Sequence, residues 1–403
     1  MIKATGASVL RVGFNAGDAF FWRDPASYIG FSGDPAAWPD FLNKVLQIHD
    51  ITDIVIYGDT RPVHAAAVQA AKKLGLTVHV FEEGYLRPFW VSYERGGSNG
   101  HSRLMDMTVA QMRQNLSRSS GEHPEAPDHW GDMREHIFYG ALYHWFVLFR
   151  NSKYRNFRSH RSISVRQEFI LYINRLAMMP GHWLRRVIAT RNIKKGGFPY
   201  HLALLQLEHD ASFQAHSTFG TMAEFLRLVV QGFHNGAAQH HHLVFKAHPL
   251  EDGRVPIRKE ISRLAKEFKV ENRVHFVRGG KLAGLLDGAK SVVAVNSTAA
   301  QQALWRGLPL KSFGDAVYSK PEFVSQQTLV DFFTSPQGPD SDAYRDYRQY
   351  LLETSQVAGG FYAARSRRQL LRKVVDMMLS QDDPYDALHS KTAAQTQQFR
   401  VVG

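Results

Sequence analysis

The sequence predicts an α/β chain of two domains that share one cleft, and three observations carry that reading. Its 403 residues are enough for two ordinary domains. Residues 1–110 alternate short apolar strands with helical patterns, and the same alternation returns from about residue 199, implying parallel sheets covered by helices on both faces. A stretch of different character lies between them. Nucleotide ligands commonly bind in a cleft at the carboxyl ends of such sheets.

In chain order, Ser8–Val12 is the first predicted strand, ending in the loop FNAGD (14–18). Asp53–Tyr57 is the second, followed by GDTRPVH and an Ala-rich helix from His64 to Leu74 that Gly75 stops. Thr77–Phe81 is the next strand, with Glu82, Glu83 and Gly84 directly after it. Residues 111–135, with Pro124 and Pro127, read as a linker. The following segment reads as helical pieces broken near Ser159–Ser164 and at Pro180-Gly181. From about 199, strands are predicted at Leu202–Gln206, Leu243–Lys246, Arg273–Val277 and Ser291–Val295, with helices at Met222–Gln231 and Pro256–Phe268. The C-terminal helices fall within 343–379, and the polar stretch after Gln381 reads as a frayed tail. The expected division is therefore 1–110, an insertion at 111–198, 199–340, helices at 341–380 and a tail at 381–403.

Composition removes several classes. With 44% hydrophobic and 12% aromatic residues and only 16 Pro, the chain is neither disordered nor fibrous. The absence of Cys excludes disulfides, thiolate chemistry and Cys-based metal sites, and fits a reducing compartment. Met1 to Ser8 shows no signal-peptide pattern. The longest apolar run, Ile137–Phe149, is interrupted by His144 and is too short to span a bilayer. A soluble, cytoplasmic chain is expected.

The charge is local. Residues 141–195 hold 12 Lys and Arg against one acid, Glu168, and so account for +11 of the net +12. The same segment carries Tyr143, Trp145, Phe146, Phe149, Tyr154, Phe157, Phe169, Tyr172 and Trp183. Bases interleaved with aromatics suit single-stranded nucleic acid, through phosphates and stacking. They equally suit an anionic membrane surface. The plainer alternative is a helical subdomain with an aromatic core and a solvated basic face.

Four places are candidates for chemistry. Adjacent Glu82 and Glu83 at a strand end can include one carboxylate tuned as a general acid or base, or one of them can simply pair with Arg87. Asp210 in QLEHDASFQAHS can act as a nucleophile or stabilise a cation, although spacing alone favours an N-cap or turn. His248 in KAHP, beside Lys246 and held by Pro249, can bind phosphate or protonate a leaving group. Asn296, Ser297 and Thr298 follow a strand and open a helix, where they serve an anion or merely cap. His240, His241 and His242 do not make a metal site, because successive residues on a strand point to opposite faces. No GxGxxG, GxxxxGK[ST] or HExxH occurs.

Together, FNAGD (14–18), YGDTRPVH (57–64), FEEGYLRP (81–88), QLEHDASFQAHSTF (206–219), FKAHP (245–249) and VNSTAAQQALWRGLPLKSFG (295–314) resemble the KpsS/LipB capsular polysaccharide export family, β-Kdo glycosyltransferases of Gram-negative bacteria. The resemblance covers residues 8 to 355, and GDTRPVH and EEGYLRP are its specific part. The acidic pair, the HP and the Ser-Thr pair are shared with bacterial sialyltransferases that use CMP-sugars. The resemblance implies a GT-B fold, two Rossmann-like domains around a cleft with C-terminal helices crossing back. It implies CMP-Kdo as donor, no cofactor and no metal. Its acceptor is phosphatidylglycerol or the lyso form at the cytoplasmic face of the inner membrane, and the product starts the poly-Kdo linker of the capsule.

By the same resemblance Asp210 is the nucleophile and Glu83 the acid/base, with Glu82 as the second choice. Lys246, His248, Pro249, Asn296, Ser297 and Thr298 bind the donor, and Asn15, Asp18, Asp59, Arg61, Arg87 and His216 are further cleft candidates. The basic aromatic segment would seat the enzyme on its anionic lipid, with a KpsC-like transferase and the export machinery as partners and no nucleic acid. Family members begin with a further strand and a G-P-x-G-x-F-F loop, whereas this sequence opens at MIKATGASVLRV, so an N-terminal sheet short of its first strand is expected. The alternatives are a catalytically inactive capsule-assembly partner and a single-stranded nucleic-acid-binding protein.

Overall fold

The structure is a computed structural model, and it describes residues 2–87, 89–116, 133–158, 163, 165–251 and 253–390. The chain forms two compact units. Unit 1 comprises 1–102, 115–169 and 350–403, and unit 2 comprises 103–114 and 170–349. The strands, in chain order, are β1 (Arg11–Gly13), β2 (Tyr28–Gly30), β3 (Asp53–Tyr57), β4 (Thr77–Glu83), β5 (Trp90–Arg95), β6 (Tyr200–Leu204), β7 (His242–Ala247), β8 (Val274–Arg278), β9 (Ala289–Ala294), β10 (Leu310–Ser312) and β11 (Gln356–Ala358).

The sheet of unit 1 has the order β11-β5-β4-β3. It is mixed, not parallel as the alternation of strands and helices suggested. β3 and β4 are parallel, joined by the helix Pro62–Leu74, which ends at Gly75 as expected. β5 runs antiparallel to β4 because only residues 84–89 join them, far too few for a crossover. β11 closes the far edge, antiparallel to β5. The first predicted strand also differs. β1 starts at Arg11 and pairs only with β2, in a separate two-stranded parallel sheet.

Ala71 of the helix Pro62–Leu74 is small enough to let it lie close on Ile56, Val78 and Val80, while Ala67 packs with Trp38, Leu42 and Leu46. Leu370, Val374 and Met377 of the helix Ala364–Leu379 pack on Val91, Tyr93 and Val357. The predicted tail is in fact a helix, Pro384–His389, with Tyr385 and Leu388 buried. Residues 391–403 lie outside the described residues.

Unit 2 carries a five-stranded sheet of order β10-β9-β6-β7-β8, parallel throughout. Strands covered on both faces must be apolar along their length, and every residue of β6 is buried. The helix Met222–Gly236 turns Phe225, Leu226, Val229, Val230 and Phe233 into the core, against Ile257, Ile261 and Leu264 of the helix Ile257–Glu267. Burying an aromatic ring such as Phe225 or Phe233 contributes about 1.5–3 kcal/mol.

The basic aromatic segment is divided between the units. The helix Met133–Phe149 belongs to unit 1, while the helix Val165–Gly196 continues into unit 2. That second helix runs through Pro180, which was expected to break it. The Pro costs the helix one backbone bond but is itself exposed, so its ring meets no packed neighbour. The other predicted break, near Ser159–Ser164, lies almost wholly outside the described residues, as does most of the predicted linker; the helix Val109–Leu116 occupies the linker's start. Among the described residues no helix is long and apolar enough to cross a membrane.

A buried acid ties the C-terminal segment into unit 1. Glu94 of β5 is fully buried and accepts a hydrogen bond from Tyr385 Oη at 2.8 Å, with short bonds from the hydroxyls of Tyr85 and Ser102. Burial pushes its pKa up to about 7 despite those three donors. A carboxyl whose pKa is raised on folding stabilises most below its unfolded pKa near 4.5, and the contribution fades as pH rises through 7. Thermal unfolding at pH 5 and pH 8 should therefore show a loss of up to about 3 kcal/mol from this group. Glu94→Gln should flatten that slope; an unchanged slope would remove Glu94 from the account.

Candidate functional site

In unit 2 the candidate residues hang from one edge. β9, β6 and β7 are neighbours and parallel, so the loops after Ala294, Leu204 and Ala247 all leave the carboxyl edge of the sheet side by side. Those loops hold Asn296–Thr298, Gln206–Asp210 and His248–Pro249.

Both β6 and β9 end earlier than predicted, which frees Gln206 and Asn296 to clasp one another. Gln206 Nε2 donates to Asn296 Oδ1 at 2.7 Å, and the Asn296 backbone N–H donates to Gln206 Oε1 at 3.0 Å. Asn296 Nδ2 donates to the carbonyls of Ser212 and His216 at 2.9 and 3.1 Å. The Asn296 amide is thus spent within the protein, where it fixes the loop and short helix that carry Asp210 and His216. His216 ends that helix, Ala211–His216, and is buried.

Asp210 is exposed and caps the same helix, its Oδ1 accepting from Ser212 N–H at 3.3 Å. Its Oδ2 has no hydrogen-bond partner among the described residues. The carboxylate is therefore both a cap and an open oxygen at the sheet edge. Ser297 plays a similar double part. Its Oγ accepts from Ala299 N–H at 3.3 Å, capping the short 3₁₀ turn Thr298–Ala300, where the sequence suggested a helix opening at Asn296. Ser297 and Thr298 remain half-buried.

Lys246 is buried at the end of β7 and donates to the Ala247 carbonyl at 3.1 Å. Burial pulls its ammonium down to about 8, and the field of Arg186 adds to the effect. Two residues on, Leu250 N–H donates to His248 Nδ1 at 3.1 Å. That bond places the proton of the neutral ring on Nε2. Pro249 is exposed beside it.

In unit 1 Glu82 and Glu83 are the last two residues of β4, rather than following it, and pair across to Ser92 and Val91 of β5. Neighbours on a strand point to opposite faces, so the two carboxylates are parted. On one face Glu82 lies against Gly58, whose φ is +68°; a Cβ there would sit 2.8 Å from Glu82 Oε2. On the other face Tyr57 and Tyr362 donate to Glu83 Oε1, Tyr57 at 3.4 Å and Tyr362 through a short bond. Burial and the nearby Glu83 charge raise both phenols well above their usual range, so they stay protonated as donors. Arg87, the plainer partner for Glu83, donates instead to the Gly84 carbonyl at 3.4 Å.

The remaining candidates of unit 1 have identifiable duties. Arg61 precedes the helix Pro62–Leu74 with its guanidinium 5.5 Å from the Tyr57 ring centroid. Asp59 is buried, and its Oδ2 accepts from Ser98 N–H and faces His101 Nδ1, each at 3.0 Å. Asn15 caps the helix Ala16–Phe21, and its Nδ2 reaches Tyr143 Oη at 2.7 Å, while Asp18 accepts from Phe14 N–H.

The consecutive histidines do split between faces. His241 meets His201 at 3.0 Å and His242 meets His275 at 2.8 Å, both at the amino edge of the sheet, opposite the loops above. Among the described residues no group of three or more His, Asp or Glu is placed to hold a metal. Sequence reasoning passed over Gln206, Tyr57 and Tyr362. Tyr362 lies 279 residues from Glu83 and offers no local signal.

A family model described as "Capsule polysaccharide biosynthesis protein" matches residues 52–362. The chain is 28% identical over 369 residues to the capsule polysaccharide modification protein LipB of Neisseria meningitidis, spanning 90% of this chain and 87% of that one. It is 28% identical over 378 residues to the capsule polysaccharide export protein KpsS of Escherichia coli, spanning 90% and 92%. A solved structure described as Thermosulfurimonas dismutans KpsC, beta Kdo 2,7 transferase, aligns over 85% of this chain and 99% of its own, at 13% identity and a TM-score of 0.38. A likeness that loose carries no argument.

Asn296→Ala should leave Gln206 Nε2 without its acceptor and take one donor from each of the Ser212 and His216 carbonyls, while Asp315 N–H still bonds the His216 carbonyl at 2.9 Å. The expected loss is about 1–3 kcal/mol of stability, read by chemical denaturation, chiefly from the buried Gln206 donor left unmade. A loss below about 0.5 kcal/mol would show that water replaces the clasp.

Proposed function

The chain belongs to the capsule polysaccharide biosynthesis protein family, and from that premise we propose that it is a GT-B glycosyltransferase. In finer terms it is a retaining β-Kdo transferase that moves Kdo from CMP-Kdo to phosphatidylglycerol or its lyso form, starting the poly-Kdo linker at the cytoplasmic face of the inner membrane. The observation that carries the reading is the convergence of the Asp210, His248 and Ser297 loops on one edge of three adjacent parallel strands. Nucleotide donors bind at such edges, and the open carboxylate stands beside groups suited to phosphate.

The chemistry follows from the groups. Departure of CMP leaves an oxocarbenium-like sugar, and Asp210 Oδ2 bonds to the anomeric carbon as the bond to the phosphate oxygen breaks. The electron pair leaves with the phosphate, which takes hydrogen bonds from His248 Nε2–H and the Ser297 and Thr298 hydroxyls. Lys246 and Arg186 add positive potential behind it. In the second half the acceptor hydroxyl attacks the same carbon and Asp210 is released; by the family resemblance, Glu83 is the base that takes the hydroxyl's proton. Two inversions amount to retention. Tyr57 and Tyr362 fix Glu83 for that task.

The acceptor is a lipid, and the surface supports contact with one. The helix Val165–Gly196 exposes Trp183, Leu184, Val187 and Ile188, flanked by Arg191, Lys194 and Lys195. In unit 1 Phe138, Trp145 and Phe149 are also exposed. Apolar and basic side chains on one helix suit the interface of an anionic bilayer.

Mass spectrometry of a lysophosphatidylglycerol acceptor incubated with CMP-Kdo should show the gain of one Kdo. Asp210→Ala should lower that transfer by at least about a thousandfold, while costing only the ~1 kcal/mol of a lost N-cap. Retained activity would leave Asp210 as a cap alone. Glu83→Gln should cost about 10²–10⁴-fold. In a separate experiment, sedimentation with phosphatidylglycerol vesicles should fall when Trp183 and Leu184 are both changed to Ala, and equal binding to phosphatidylcholine vesicles would count against an anionic surface.

A further inference from the structure

A cavity of about 880 Å³ opens in unit 2, lined by the helices Val165–Gly196 and Ile257–Glu267 and by β8. That volume falls within the ~300–1,000 Å³ typical of ligand sites. Of the residues given a part in donor binding, Arg186 alone lines it; Lys246, His248, Asn296, Ser297 and Thr298 do not. Its floor is apolar, with Ala189, Ile193, Ile261 and Phe276. Its rim is basic, including Arg185, Arg186, Lys259 and Arg278. Of the two acids among the described residues that line it, Glu251 and Glu271, Glu251 already accepts from Gly253 N–H at 2.8 Å through Oε1.

The cations gather at one end. Arg278 Nη1 lies 3.2 Å from His182 Nε2, and Arg186 packs on Gly280, where a Cβ would come within 2.7 Å of Arg186 Cδ. The same end adjoins the His248 loop. Arg278 Nη2 donates to the Glu251 carbonyl at 3.1 Å, and Glu251 N–H donates to the His248 carbonyl at 3.1 Å. Ile188 lines the cavity, is 49% exposed, and lies one helical turn from the exposed Leu184. An apolar trough that opens on an apolar surface at its side and ends in cations is shaped for an amphiphile with a negative head. A free nucleotide would leave the floor unmatched, and a neutral lipid would leave the cations unmatched.

We infer that this cavity holds one acyl chain of an anionic lipid, with the phosphate of its headgroup at Arg186, Arg278 and His182 beside the His248 loop. The inference rests on the lipid-acceptor reading above and gives that acceptor a seat.

The test is titration of the full-length protein with lysophosphatidylglycerols of 10 and 14 carbons and with 14-carbon lysophosphatidylcholine, all below their micelle concentrations, followed by calorimetry. The 14-carbon anionic lipid should bind at least about tenfold tighter than the 10-carbon one, since each buried methylene contributes. It should also bind at least about tenfold tighter than its phosphocholine counterpart. Ala189→Trp, which fills the floor, should abolish the dependence on chain length, and Arg186→Gln the preference for the anionic head, with melting temperatures confirming that both variants fold. Affinity indifferent to chain length, or to Ala189→Trp, would overturn the inference. So would displacement of the lipid by CMP, which would assign the cationic end to the nucleotide. Binding is read without turnover, so a chain-selective site in a protein that transfers no Kdo would uphold the cavity and sink the transferase reading. Kdo transfer with a KM indifferent to chain length would do the reverse.

Discussion

Parallel strands share a direction, and in unit 2 this constraint governs everything else. Because β9, β6 and β7 run the same way, each must end at the same edge, and whatever follows each strand is delivered to one line. Asp210, His248 and Ser297 are separated by 38 to 87 residues in sequence yet share that edge through nothing more than strand order. The Gln206–Asn296 clasp then sets the spacing between two of the loops. The sheet supplies the direction and the amides supply the register.

Unit 1 solves a different problem. Two adjacent carboxylates would repel one another if both faced the same way, and the alternation of the strand separates them. Glu82 lies against Gly58, whose φ of +68° favours glycine, and Glu83 is held by two phenols, one of them 279 residues away. Neighbours in sequence are thus given unlike surroundings, which is the condition for giving them unlike tasks.

Much of this could be read from the residues. Apolar runs such as DIVIY and LVFK identified β3 and β7, though only β7 is buried along nearly its whole length and β3 is an edge strand with Val55 exposed, and Gly75 marked a helix end. The motifs singled out in unit 2 lie in loops that leave one edge of its sheet. What escaped were features set by distance. WVSYER became an antiparallel strand only because a six-residue connection forced it, and Gln356–Ala358 became a strand because β5 had a free edge to offer. The double bonding of Asn296 to Gln206, the Tyr362 phenol on Glu83 and the burial of Tyr385 depend on partners 90 to 291 residues away. Pro180 misled in the other direction, since a local rule about helix breaking was overridden by a long helix with an exposed flank.

The way β11 and Tyr385 complete unit 1 has a consequence for the order of events on the ribosome. All of unit 2 up to residue 349 has been synthesised before residues 356–358 exist, so its sheet can close while the chain is still growing. The sheet of unit 1, though begun first, must wait with the edge of β5 bare. An unpaired strand edge invites pairing with another chain. The half of the protein made first is therefore the half finished last, and a stalled or prematurely released chain leaves that edge for a chaperone, or a neighbour, to cover.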